Sequence, residues 1–101
     1  MSDSLDSTTW QPEEGPEPVW ADFNDWPQRD AVGLDSRVTR AQLAAQGLEL
    51  REGLLLNIWD ADEDDEGNRD DLIATGYVER WGDDRWVLRM RHPLRWQSGE
   101  A

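Results

Sequence analysis

Three runs with an apolar residue or glycine at every second position dominate the second half of the chain. These runs span residues 54–59, 71–80 and 86–91. A period of two places the apolar side chains of each run on one face, which is typical of a half-buried strand. A tight connection between Trp81 and Trp86 should join the second and third runs as a hairpin. The pattern predicts a β-meander, and Gly76 in its second strand indicates a bulge or a sharp bend.

One short helix is predicted before the meander. Thr39 is expected at its N-cap, with Gln42 three residues later completing a capping box. Gly47 can take the left-handed conformation that ends a helix, so the helix should cover residues 40–46. The sheet should end before Pro93, because proline cannot donate to a strand ladder. The predicted fold class is mainly β with one short helix (α+β), a small SH3-like half-open β-barrel or meander preceded by a disordered acidic tail.

The domain organisation is predicted to change near residue 35. Residues 1–35 contain four of the five prolines, nine acidic residues and one arginine. A segment of this composition buries too little apolar surface to order itself. We therefore expect an acidic tail over residues 1–35, extended or ordered by a partner, a folded domain over 36–97 and a disordered C-terminus over 98–101. The aromatic residues of the tail should dock either on the domain behind them or on a partner.

The core of so small a domain needs large apolar side chains. Trp86 is in phase with Leu88 and Met90 along the third strand. We expect Trp86 to be buried and to hold the sheet against Leu43 of the helix. The opposite face of this strand carries arginines, which are hard to bury, so a slip of one residue in register would be costly.

The chain is strongly acidic, with a formal net charge of −13 over 101 residues. Such a charge repels nucleic acid and anionic membranes and attracts basic surfaces. We therefore expect a protein partner with a basic surface and no direct binding of nucleic acid. No run of about 18 apolar residues is present, so insertion into a membrane is not expected. The N-terminal residues do not resemble a signal peptide and the chain has no cysteine, which predicts a cytoplasmic location. The oligomeric state stays open.

Aromatic and acidic residues are interleaved near the end of the predicted tail. The candidate partner-binding residues in this segment are Trp20, Asp22, Phe23, Asp25 and Trp26. Aromatic side chains at the centre of an interface often dominate its binding energy. The carboxylates between them would suit a groove rimmed by arginine or lysine.

A second acidic cluster lies in the loop between the first two strands of the meander, where residues 60–71 hold eight acidic residues. The candidate partner-binding residues of this loop would attract a basic partner by their negative charge; they are Asp62, Asp64 and Asp65. Four acids also fall on ligand positions of an EF-hand loop and are weak candidates for Ca²⁺ or Mg²⁺ ligands: Asp60, Asp62, Asp64 and Glu66. Asp65 stands where that loop needs glycine, so no tight metal site and no cofactor are expected.

The sign of the charge reverses toward the C-terminus. Residues 85–97 hold four arginines and no acidic residue. Arg85, Arg89 and Arg91 are predicted to share one strand face beside Tyr77, and arginine next to aromatic residues can bind single-stranded nucleic acid. The alternative, which the net charge favours, is that these arginines pair with the chain's own acids in Glu79, the loop or the tail. The three arginines form a second candidate contact face.

Catalysis is not expected from this chain. It has one histidine, which precedes a proline, and its hydroxyl residues cluster near the N-terminus. The predicted function is a non-catalytic protein-interaction module, an accessory subunit or adaptor of a larger assembly. The alternative is an acidic inhibitor of a nucleic-acid enzyme, such as an immunity protein or a nucleic-acid mimic, and a third possibility is a weak divalent-cation binder. A mimic needs its acids on one rigid, continuous face, whereas an adaptor does not.

Overall fold

The fold is one β-sheet with a single short helix. The computed structural model describes residues 10–28, 30–63, 65–92 and 95–97. Its elements are β1 (Val19–Trp20), β2 (Ala31–Gly33), α1 (Arg37–Ala45), β3 (Leu55–Asp60), β4 (Leu72–Trp81), β5 (Arg85–Met90) and β6 (Arg95–Trp96). The prediction of a mainly β domain with one short helix is confirmed.

The predicted meander forms the centre of the sheet. Strands β3, β4 and β5 pair antiparallel in chain order. The strand order is β1-β3-β4-β5-β2, with β6 added to β4. The sheet is open along this order, because β1 and β2 are its two ends, and the SH3-like barrel stays a prediction. Gly76 faces Leu56 on one side and Met90 on the other. A Cβ atom at Gly76 would overlap the main chain of Arg89, so close strand approach explains this glycine.

The predicted tail does not describe residues 19–28 and 30–34, which pair and pack with the rest of the domain. Strand β1 pairs parallel with β3, and β2 pairs antiparallel with β5. Six apolar side chains of this stretch are buried: Val19, Ala21, Phe23, Ala31, Val32 and Leu34. The physical reason is pairing with distant strands, since β3 and β5 offer edges on which this stretch can bury its apolar side chains. An average composition over 35 residues does not reveal such pairing. Residues 1–9 and 98–101 lie outside the described residues.

The helix begins earlier than predicted. Its N-cap is Ser36, whose hydroxyl oxygen accepts a hydrogen bond from Thr39 N at 3.1 Å. Thr39 was the predicted N-cap, but it lies inside the helix, where its hydroxyl donates to the carbonyl of Trp20 at 2.7 Å. The predicted C-terminus is confirmed, because Gly47 has a φ of 71° and Leu48 N bonds to Leu43 O at 2.9 Å.

The helix protects the exposed edge of β1. Gln42 Oε1 accepts a hydrogen bond from Trp20 N at 2.6 Å. Gln46 Nε2 donates to the carbonyl of Glu17 at 2.8 Å. These side-chain bonds satisfy main-chain groups that would otherwise be open to pairing with another chain.

One face of the sheet packs into the core. The buried core residues of the sheet and helix include Leu43, Leu56, Ile58, Ala74, Val78, Leu88 and Met90. Trp86 lies on this face and packs against the core as predicted, but it is half-buried rather than buried. It lies near the end of the sheet, where the helix and the following loop leave part of its ring uncovered.

The prediction that the sheet ends at Pro93 is wrong. Arg91 N still bonds to Thr75 O at 2.9 Å. After an interruption, β6 pairs with Leu72 and Ile73 of β4. A proline can be accommodated between two pairing segments, because it removes a donor only at its own position. Among the described residues, no helix is long and apolar enough to cross a membrane.

Candidate interaction surface

Arg85, Arg89 and Arg91 lie on the sheet face opposite the core and are all engaged within the chain. Each one pairs with a carboxylate from residues 14–30: Arg85 with Asp25, Arg89 with Asp30 and Arg91 with Glu14. The first two ion pairs have N···O distances of 2.8 and 2.6 Å. In the structure these arginines pair with the chain's own acids, which is one of the two alternatives that the sequence left open.

Arg89 is the most heavily engaged of these arginines. Its Nε and Nη2 atoms donate to the Glu79 carboxylate at 3.1 and 3.0 Å. Its guanidinium also lies 5.7 Å from the centroid of the Trp81 ring. The hydrogen bonds from Arg89, followed by one from Trp81, lower the pKa of Glu79. The same contact with Glu79 raises the pKa of Arg89.

The predicted docking motif of the tail is divided between core and surface. Phe23 is only 6 % exposed and belongs to the core. Trp20 is half-buried, and its indole Nε1 donates to Asp60 Oδ1 at 2.9 Å. Trp26 is 50 % exposed and is the aromatic residue of this motif that a partner could reach.

The two acids of the motif have local roles in the folded chain. Asp22 Oδ1 accepts a hydrogen bond from Asn24 N at 2.9 Å and shapes the turn that follows β1. Asp25 pairs with Arg85 above Gly33, whose N–H bonds to the carbonyl of Asp25 at 2.7 Å. A Cβ atom at Gly33 would overlap the Asp25 carboxylate, so the glycine makes room for this ion pair.

Asp60, a weak metal candidate from the sequence, anchors the N-terminal segment instead. Its carboxylate accepts hydrogen bonds from Trp20 Nε1 and from Phe23 N, the latter at 3.1 Å. Burial raises the pKa of Asp60, although the two hydrogen bonds oppose this shift. The carboxylate therefore helps to hold the segment after β1 against the end of β3.

The acidic loop is held in a defined shape. Asp70 N bonds to Asp62 O at 2.9 Å, and Glu63 and Arg69 form an isolated antiparallel bridge. The carboxylate of Asp62 accepts a hydrogen bond from Trp96 Nε1 at 3.1 Å. Asp62, Glu63 and Asp65 are exposed. Asp64, another predicted contact residue, lies outside the described residues.

An ion pair between an exposed arginine and a buried aspartate at the base of this loop was not predicted. Asp71 is fully buried, and Arg69 donates to both of its carboxylate oxygens at 2.9 Å. The guanidinium of Arg69 also lies 5.4 Å from the centroid of Trp59. Nothing in the sequence distinguishes Asp71 from the seven other acids of residues 60–71, because only the fold brings its strand end into the interior.

The described residues contain no group of three or more acidic, histidine or cysteine side chains placed to hold a metal ion. Of the four weak candidates, Asp60 and Asp62 accept hydrogen bonds from indole groups. Glu66 is exposed on the loop. The prediction of no tight metal site stays a prediction.

Comparison with protein-family models, with curated proteins and with solved structures found no match to this chain. The functional argument therefore depends on the geometry and charge of the molecule itself.

Proposed function

We propose that this chain is a non-catalytic interaction module, an accessory subunit or adaptor that docks on the basic surface of a protein partner. The observation that carries the proposal is the contrast between the two charged regions of the domain. The arginines opposite the core are paired with carboxylates of the same chain. The side chains of Asp62, Glu63 and Asp65 are exposed on the acidic loop. The outward-facing charge of this loop is negative, and it would attract a cationic partner.

The shape of the loop supports a specific contact over a purely diffuse attraction. Main-chain bonding across the loop and the ion pair of Arg69 with the buried Asp71 hold its base. A loop with a fixed shape loses less conformational entropy on binding than a flexible loop. The entropy cost therefore offsets less of the favourable free energy of the contacts. Trp26 adds an exposed aromatic side chain of the kind that often anchors an interface. We place this interaction in the cytoplasm and assign no direct binding of nucleic acid.

The inhibitor alternative gains support from one observation. Acids at positions 14, 25 and 30 are held against the sheet by ion pairs, so the acidic surface is more rigid than a tail would be. A nucleic-acid mimic would block the partner's catalytic site, whereas an adaptor would leave the partner active. Measuring the partner's activity with and without the bound chain separates the two.

The experiment uses the full chain to capture partners from an extract of its native host, followed by kinetics with the purified partner. The loop variant is Glu63→Gln, Asp64→Asn and Asp65→Asn. A matched control removes three other acids, Glu49→Gln, Glu52→Gln and Asp84→Asn. We expect the loop variant alone to slow association on the order of tenfold at low salt. Equal slowing by both variants would show that only net charge matters, and no slowing by the loop variant would remove the loop from the interface.

A further inference from the structure

The N-terminal segment lies across the sheet face opposite the core as a strap. We call residues 10–18 the strap. None of its residues is fully buried, and Val19 is the first buried residue that follows it. The strap borders a cavity of about 370 Å³ whose other walls are sheet and β5–β6 residues: Asn57, Thr75, Arg91, His92 and Arg95.

Asn57 is the main polar group that holds the strap. Its side chain is fully buried, and its Nδ2 donates to the carbonyls of Glu14 and Pro16 at 2.8 and 2.9 Å. Its Oδ1 accepts a hydrogen bond from the Thr75 hydroxyl at 2.6 Å, which orients the amide. The two accepting carbonyls are two residues apart, so Asn57 bonds to the main chain of a segment that bends between them.

The residue between the two carbonyls is selected by space and conformation. Gly15 has a φ of 85°, a region that residues with side chains rarely adopt. A Cβ atom at this position would lie 2.8 Å from Asn57 Nδ2 and 3.1 Å from Leu55 Cδ2. The groove therefore favours glycine at this position.

The side chain before that glycine is selected by charge. Arg91 pairs with the Glu14 carboxylate and lies 5.9 Å from the centroid of the Tyr77 ring. Arg95 lines the same cavity and adds a second cationic group. An acidic residue followed by glycine and one more residue fits the Arg91 and Asn57 positions together.

We propose that this groove is a binding site for an acidic peptide of a partner protein that bends at a glycine, with the sequence character acid-glycine, and that the strap occupies the site as a built-in competitor. The site goes beyond the proposed function, because it would take a ligand of the opposite charge on a different surface. A single nucleic-acid strand could offer phosphates to the arginines. Asn57 bonds to two main-chain carbonyls, and the sugar-phosphate backbone of a nucleic acid has no carbonyl group, so a peptide is favoured.

The tether makes the strap a strong competitor. A segment attached to its own site acts at an effective concentration that can reach the millimolar range. The apparent affinity for a peptide in solution is therefore the affinity of the open groove multiplied by the fraction of chains in which the strap is released. Weakening the strap without changing the groove should raise that fraction and tighten peptide binding.

The test measures fluorescence anisotropy of a labelled peptide with the strap sequence, WQPEEGPEP, titrated with the full chain. Glu14→Gln in the chain weakens the strap and leaves the groove intact, so we expect at least about threefold tighter peptide binding than for the wild type. The matched control is Glu13→Gln, which makes the same charge change at an exposed position and should leave binding unchanged. Arg91→Ala combined with Glu14→Gln should weaken binding on the order of tenfold or more relative to Glu14→Gln alone.

Two further probes test the assignment of the ligand. A peptide with alanine in place of its glycine should bind Glu14→Gln on the order of tenfold more weakly. A nine-nucleotide single strand should bind more weakly than the peptide, because its backbone has no carbonyl group. Thermal melts confirm that each variant is folded. Equal peptide binding by the Glu14→Gln and Glu13→Gln chains, retention of binding after Arg91→Ala, or tighter binding of the nucleic acid would each overturn the proposal.

Discussion

Replacing Phe23 by alanine tests whether the N-terminal segment is part of the core. Phe23 is 6 % exposed and belongs to the same buried cluster as Leu56 and Leu88. Truncating a buried phenylalanine to alanine costs about 3–5 kcal/mol, because it removes apolar contacts and leaves a cavity. Trp26 is 50 % exposed, so Trp26→Ala is a matched aromatic control that should cost less than about 0.5 kcal/mol.

The size of the domain makes this difference large in a melting experiment. A loss of 1 kcal/mol lowers the Tm of a domain of 60–100 residues by about 4–8 °C. A loss of about 3 kcal/mol therefore predicts a decrease of at least about 12 °C for Phe23→Ala, and a change of a few degrees at most for Trp26→Ala. A free energy of unfolding of about 5–15 kcal/mol is typical of native proteins, so Phe23→Ala could remove much of the total.

The assay is thermal unfolding followed by circular dichroism, with urea unfolding of the same samples as an independent measure. The Phe23→Ala midpoint in urea should fall while the dependence of the unfolding free energy on urea stays similar. Equal midpoints for Phe23→Ala and Trp26→Ala would refute the reasoning, because residues 19–34 would then contribute nothing to the core.

Three further predictions concern individual contacts. Gly33→Ala should cost about 1–3 kcal/mol by overpacking against the Asp25 carboxylate, and an Asp25→Ala background should reduce that loss in a double-mutant cycle of urea midpoints. The pKa of Glu79 is lowered in the folded state, so its ion pair with Arg89 stabilises the fold. This stabilisation is fully present above the unfolded-state pKa of glutamate, and it is lost as the pH falls through the folded-state pKa. Glu79→Gln should therefore lower stability at pH ~7 by well under 1 kcal/mol, since the pair is partly exposed, and the difference in melting midpoint from the wild type should shrink as the pH falls through the folded-state pKa of Glu79. Calorimetric titration with Ca²⁺ should show no micromolar affinity, because Asp60 and Asp62 already accept hydrogen bonds from Trp20 and Trp96; a tight isotherm would contradict this.

Local patterns in the sequence were sufficient for the strands of the meander and for the end of the helix. Alternation over residues 54–59, 71–80 and 86–91 predicted β3, β4 and β5, because side chains on a strand point to opposite faces at every step. Gly47 was recognised as the helix terminator, because left-handed backbone is costly for other residues. These features depend on neighbours a few residues apart, so they are visible in the sequence.

The strands and partners that depend on distant residues were decided by the tertiary structure. Strands β1 and β2 have two and three residues, which is too short for a recognisable period, and they form only because β3 and β5 offer edges for pairing. The sequence could not predict which acids pair with the arginines, for the same reason. Asp25 and Arg85 are 60 residues apart in sequence, and any of many acids could have paired with that arginine.

The sequence by itself therefore determined the excess of negative charge and the β-meander, both of which follow from residue identity and local spacing. Only the tertiary structure decided which charges remain outward-facing and which are paired. Arg91 meets Glu14, and Asn57 meets the carbonyls beside Gly15, only when the strap crosses the sheet. A hydrogen bond or an ion pair forms only when its two partners lie within a few ångströms, and the separation of residues along the chain does not fix that distance until the chain has folded.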